Sequence, residues 1–169
     1  KKATASSSKG ANTADMTLDG TTDTRWQADN EADDEWIQVD LGSVQAVNAV
    51  TINWEAAYAA KYEIQVSTDG KEWTTVAKEN GMVGEITSSF AATKARYVKM
   101  QGVSRGTQYG YSIYEIQVFG AVQAKAPTIT PVSGTYKGTQ TVKMSTAVKG
   151  AEIKYTTDGA TPTEDSATY

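Results

Sequence analysis

Apolar and polar positions alternate with period two through most of the first 120 residues. In Trp36–Leu41, Ile37, Val39 and Leu41 share one face, while Gln38 and Asp40 share the other. Val50, Ile52 and Trp54 align in the same way, and so do Tyr62, Ile64 and Val66. Asp69–Gly70 then turns the chain towards Trp73. Arg96–Met100 and Ile113–Phe119 read as further strands. No segment carries a convincing helical period. Short strands separated by turn signals predict an all-β sandwich.

The texture changes after Ala121. Residues 122–127 are small and polar and end in a proline, the mark of a linker. Strands follow around Thr141–Ser145 and Glu152–Thr156, with turns at Asp158–Gly159 and Thr161–Pro162. All three prolines fall in this last part. The expected organisation is an all-β module over 1–121, a linker over 122–127, and a partial second β module over 128–169. The chain opens on Lys1–Lys2 and stops at Tyr169 inside an unfinished pattern, which reads as a piece of a longer protein.

Composition narrows the chemistry. The chain has no His and no Cys, so the usual general base, the commonest zinc ligands and thiol nucleophiles are missing. Lys and Arg number 16 against 20 Asp and Glu, a net charge of −4 with no basic run, which argues against nucleic acid as a partner. No apolar run is long enough to span a membrane.

Two stretches concentrate oxygen donors. LDGTTDTRW (Leu18–Trp26) brings together an Asp, Thr carbonyls and a Thr hydroxyl, and YGYSIYEIQVFG (Tyr109–Gly120) carries a Glu into a strand. Oxygen-only donors suit a hard cation such as calcium. Taken alone, Asp19–Gly20 also serves as an ordinary turn, and Glu115 as an exposed strand residue.

The ordered segments DGTTDTRW, EWIQVDLG, INWEAAYAAKYEIQVSTDGKEW, RYVKM and RGTQYGYSIYEIQVFG resemble a discoidin domain, the coagulation factor V/VIII C-type β-sandwich. Within that family the chain is most similar to carbohydrate-binding modules of family 32, which accompany bacterial secreted glycoside hydrolases. SGTYKGTQTVKMS and IKYTTDGATPTEDSATY resemble the small β-sandwich repeat at the C-termini of chitobiase and β-hexosaminidase.

The resemblance implies one structural calcium ion. Side-chain ligands fall on Asp19, Thr24 and Glu115, and carbonyl ligands on Met16, Thr21, Thr24 and Tyr114. It also implies a sugar site on loops at one end of the sandwich, here Ser6–Thr13, Arg25–Glu35, Trp54–Lys61 and Ser104–Tyr111. Those loops offer Arg25, Trp54, Glu55, Tyr58, Arg105, Tyr109 and Tyr111. Glu55 and Arg105 are expected as a donor–acceptor pair for sugar hydroxyls, with Tyr109 and Tyr111 as the aromatic platform. Core packing is an equal reading for Trp54, and the expected one for Trp26, Trp36 and Trp73. Arg25 has a second reading as a brace for the calcium loop.

QADNEADDE (Gln27–Glu35) is strongly acidic. It reads as a solvated loop, or as a preference for a cationic amino-sugar polymer such as chitosan. The functional expectation is a non-catalytic, monomeric module that targets a secreted or cell-surface bacterial glycoside hydrolase to a polysaccharide. Its partners would be a glucan or amino-sugar polymer and the other modules of the parent protein. The alternative is an adhesion or lectin module for galactosides or phospholipid, though acidic polar loops speak against anionic lipid. A glycosidase would need two carboxylates facing across a cleft, and Asp33, Asp34, Glu35 and Glu55 on exposed loops match that poorly.

Overall fold

The computed structural model describes residues 1–120, 127–147, 151–163 and 165–169. The chain divides into two compact units, Lys1–Ala121 and Val122–Tyr169. Residues 122–126 of the expected linker lie outside the described residues.

The first unit is built from β1 (Lys2–Ala5), a 3-10 helix (Ala14–Leu18), β2 (Trp26–Gln27), β3 (Trp36–Trp54), β4 (Ala59–Ser67), β5 (Thr74–Asn80), β6 (Gly84–Arg105) and β7 (Ser112–Gly120). Hydrogen bonding gives the order β2-β7-β3-β6-β4-β5, with β1 on β3, and every pairing is antiparallel. Segments that read as separate strands at 36–41 and 50–54 are one strand of 19 residues, and β6 runs for 22. Each belongs to both layers of the sandwich. Trp36–Asp40 pairs with the last part of β6, the register shifts between Asp40 and Gln45, and Gln45–Trp54 pairs with the first part. Gly42, at φ 87°, supplies the left-handed residue at that bend.

The period-two faces meet between the layers. Ile37, Val39, Ile64, Val66, Val98 and Met100 come from one layer, and Val47, Val50, Ile52, Trp54 and Ile113 from the other, all buried. Each such side chain contributes roughly 1.5–3 kcal/mol by leaving water. Trp26 joins this core as expected. Trp36 and Trp73 do not: they lie half-exposed on the outer face, where the Lys99 ammonium sits 4.2 Å above the Trp73 ring. Their strand phase, opposite to Ile37 and Val76, puts them there.

One end of the sandwich carries the bend at 41–44 and the turn after Ser67. The other carries the loops 6–13, 28–35, 55–58, 81–83 and 106–111, and is the loop end below.

In the second unit, β8 (Thr128–Thr130) pairs with β9 (Lys143–Ser145), and β10 (Lys154–Tyr155) with β11 (Ala167–Thr168). These strands are two or three residues long and leave Ile129, Val132, Tyr136, Val142 and Tyr169 exposed.

Candidate functional site

The loop end is stitched together by backbone hydrogen bonds. Glu55 N–H donates to Ser112 O at 3.1 Å, Ser112 N–H to Ala57 O at 2.9 Å, and Gly106 N–H to Tyr58 O at 2.9 Å. Ala59 stands opposite Arg105 in the β4–β6 ladder. The acidic loop docks on the same segments: Ala28 N–H reaches Tyr111 O at 2.8 Å and Gly102 N–H reaches Glu35 O at 3.0 Å. Close approach is possible because of two glycines. A Cβ on Gly102 would lie 2.3 Å from the Tyr111 ring, and one on Gly110 would lie 2.6 Å from Asn30 O.

Two of the expected aromatic contacts are internal. Tyr111 is fully buried, and its hydroxyl donates to Asp33 O at 2.7 Å. Burial pushes that phenol up from its ordinary value. Trp54 is also fully buried, packed at 5.3 Å from Tyr62 and edge-on to Tyr111 at 6.2 Å. Both rings belong to the core beneath the loops. Tyr109, 56% exposed, is the ring left free. Tyr58 is half-buried and lies flat against Gly106, where a Cβ would come within 2.3 Å of its ring.

Glu55 and Arg105, expected as a donor–acceptor pair for sugar hydroxyls, each have a protein partner of their own. Both residues are at the loop end, but Arg105 bonds to Asp33, through its backbone N–H and its Nε, each 3.0 Å from Oδ1. Its Nη1 is held by Gln108 O at 3.0 Å. Asp33 is drawn below the ordinary carboxylate range by these bonds, the backbone one first. The Glu55 carboxylate accepts Ala57 N–H at 3.0 Å, which fixes its direction and leaves acceptor capacity. Arg25 precedes β2, whose Gln27 stands opposite Ser112. Its Nε is buried with no hydrogen-bond partner among the described residues, an unmet donor beside the loop end.

The acidic loop divides into buried and free carboxylates. Glu35 is buried and accepts from Ser6, Ser7 and Asn30. Asp33 is taken by Arg105. Asp29, Glu31 and Asp34 are exposed, and their carboxylates have no partner among the described residues. The sequence treated these five as alike; only the fold separates them, because it decides which ones meet donors.

The oxygen-rich loop meets the strand expected of it. Thr24 Oγ1 donates to Asp19 Oδ2 at 2.5 Å, and Gly20 N–H donates to Glu115 Oε1 at 2.9 Å. Hydrogen bonding, led by Thr24, lowers Asp19 from its ordinary value, while Glu115 is raised, first by burial and then by the hydrogen bond and charge of Asp19. Tyr114 is the extra residue of a β-bulge, since Asn53 opposes Glu115 while Trp54 opposes Ile113. Two facing carboxylates, a hydroxyl and a bulged backbone form a donor set that fits a hard divalent cation. Among the described residues no three Asp or Glu are placed to hold one metal ion together, so such an ion would lean on carbonyls.

Residues 2–116 match the F5/8 type C domain family. The chain belongs to that family. Residues 131–169 match the chitobiase/beta-hexosaminidase C-terminal domain. Among solved structures, chitosan-binding module 1 from the chitosanase/glucanase of Paenibacillus sp. IK-5 is 48% identical, with a TM-score of 0.68 over 71% of this chain and 95% of that one. Module 2 of the same enzyme, in complex with chitotriose, is 40% identical with a TM-score of 0.69, over 71% of this chain and 96% of that one. The polysaccharide lyase 8 family protein HylA of Enterococcus faecalis is 39% identical over 88 residues, 50% of this chain. The chain spans 6% of that protein's length. The F5/8 type C unit therefore shares the discoidin sandwich with carbohydrate-binding modules. No described helix is long and apolar enough to cross a membrane.

Proposed function

We propose that the first unit is a non-catalytic carbohydrate-binding module whose loop end takes an amino-sugar polymer of the chitosan class. The observation that carries this is the set of exposed carboxylates Asp29, Glu31 and Asp34, without partners among the described residues, on a loop that docks on the segment carrying the exposed Tyr109 ring, at the same end as Glu55. An ammonium group on a sugar ring finds acceptors there, while the ring's C–H face covers the aromatic. Arg25 supplies a donor for sugar oxygens. Chitosan-binding relatives at 40–48% identity support the same reading.

A calcium ion held by Asp19, Thr24 and Glu115, with carbonyls of Met16, Thr21 and Tyr114, would brace the first loop against β7. It would supply charge neutralisation and rigidity, not chemistry on the sugar. Non-catalysis is supported by the carboxylates themselves: Glu35 is saturated with hydrogen bonds and Asp33 is committed to Arg105. Neither is available as a glycosidase acid or nucleophile. In the parent protein, a secreted or cell-surface glycoside hydrolase, the module would raise the local concentration of enzyme on its polymer. The second unit would act as a connector. Met82 and Val83 are exposed on the loop 81–83, but the neighbouring carboxylates disfavour anionic lipid.

The test is titration calorimetry of the chain with glucosamine oligomers, their N-acetylated counterparts and uronate oligomers. The glucosamine series should bind tightest and weaken with added salt. Equal binding of the N-acetylated series, or preference for uronates, overturns the charge-based reading.

A further inference from the structure

Glu35 is the one acidic side chain among the described residues that is less than a tenth exposed, at 5%. Among the described residues no Lys or Arg pairs with it. A buried carboxylate without a counter-cation must be held by hydrogen bonds. Its Oε2 accepts from the hydroxyls of Ser6 and Ser7, the latter at 2.6 Å, and its Oε1 accepts from Asn30 Nδ2 at 2.9 Å. Burial opposes its charge, but these bonds outweigh burial and keep the carboxyl below its ordinary value.

The two hydroxyls pass the constraint on. Ser6 Oγ accepts Trp36 N–H at 2.8 Å, and Ser7 Oγ accepts Asp29 N–H at 3.0 Å. Ser7 O is itself fixed by the indole N–H of buried Trp26 at 2.9 Å. The acidic loop is thus held in two arcs. Asp33 and Asp34 are tied to Arg105, Tyr111 and Gln101. Among the described residues, the arc Asp29–Asn30 is tied by side chains only to Ser7 and Glu35.

We propose that Glu35 is a positioning residue for the sugar site: through Ser7 and Asn30 its carboxylate sets where Asp29 and Glu31 stand relative to Tyr109 and Glu55. The inference rests on the amino-sugar reading of the loop end. The requirement for a carboxylate is one of counting. Three donors converge on this position, and only an acceptor-only group with two oxygens receives all three. Glutamine keeps the volume but turns one acceptor into a donor, so that Asn30 must turn its amide over to meet it and the arc it sits on must adjust. A site whose carboxylates wander spends part of its binding energy on ordering them.

The experiment compares wild type, Glu35→Gln, Asn30→Asp and the double variant Glu35→Gln/Asn30→Asp. The double variant reverses the hydrogen bond between the two positions and keeps one negative charge in the knot. Each is titrated with a glucosamine oligomer, and the Trp26 indole N–H resonance is followed by NMR in the free protein, since it reports the Ser7 segment. Glu35→Gln should weaken binding about fivefold to tenfold and shift the indole signal. Asn30→Asp alone should also weaken binding, because two carboxylates then face each other. The double variant should return both affinity and indole signal towards wild type. Glu35→Gln that binds like wild type overturns the positioning role, whether or not the indole moves. So does a double variant that regains the indole signal and not the affinity. If the wild-type chain binds no glucosamine oligomer, the amino-sugar reading falls, and the positioning role with it; the other outcomes strike Glu35 alone.

Discussion

Asp33 Oδ1 receives both the backbone N–H and the Nε–H of Arg105, each at 3.0 Å, so that one carboxylate oxygen ties the acidic loop to the end of β6. This makes Arg105 a brace. Arg105→Ala and Asp33→Ala should weaken glucosamine-oligomer binding by similar amounts, about threefold to fivefold. The double variant should be little worse than either single one. A loss much larger for Arg105→Ala than for Asp33→Ala, by calorimetry, would mean that the guanidinium touches sugar directly.

Tyr109 and Tyr111 are separated by one glycine and should respond in opposite ways. Tyr111→Ala removes a fully buried ring, a change that costs about 3–5 kcal/mol and lowers the Tm steeply. Tyr109→Ala leaves the Tm within about 1 °C, because the ring is 56% exposed, and weakens sugar binding about tenfold. Thermal scans and titrations on the two variants check both. A Tyr109→Ala variant that binds normally would remove the platform.

Calcium should raise the Tm and chelator should lower it. A ligand at a hundred times its Kd adds about 2.7 kcal/mol to a fold that alone binds it, on the order of 10 °C for a domain of this size. Glu115→Gln should abolish the response while leaving the sandwich folded, since Gly20 N–H can still donate to an amide oxygen. Calorimetric scans with calcium and with chelator read the difference. Identical scans for wild type in the two conditions count against the ion.

Acid should reveal the bonds on Glu63. Gln65, Thr75 and Lys78 hold its carboxyl at about 2, against 4.5 for the free group. The folded-state value lies below the unfolded one, so the stabilisation is complete above about pH 4.5 and fades as the pH falls towards 2. Glu63→Gln should therefore melt below wild type at pH 6, and the gap should close near pH 2. Parallel Tm curves across that range would show that the bonds contribute nothing.

The alternation that places Ile37, Val39, Ile52, Ile64 and Val66 inside was legible, because period two leaves each strand a single way to face the core. The joining of 36–41 to 50–54 was not. Leu41–Asn48 is exposed or polar at its middle, and only pairing with β6 shows it to be continuous strand. β1, β5 and the first part of β6 were also missed, since Thr, Ser, Lys and Glu at partly exposed edges dilute the pattern. At the site, chemistry was legible and partnership was not. Tyr111 reads like Tyr109 in sequence, and its burial depends on the room left by Gly102, on the strand before it. Likewise Asp33, Asp34 and Glu35 are three consecutive acids, one bound to Arg105, one free and one buried.

The strand arrangement also decides how the module can be handled. β1 begins and β7 ends beside the Asp40–Val47 bend, with Lys2 opposite Asp40 and Gly120 opposite Val47. The polypeptide therefore leaves this domain at the pole opposite its loops. A fluorophore, surface anchor or fusion partner attached there starts from the pole away from the loops. When such a handle is pulled while the loops grip a polymer, the load runs lengthwise along β7 and β3, shearing their whole hydrogen-bond ladder at once. That is the geometry in which antiparallel strands resist longest, and it suits the holding role proposed for this domain.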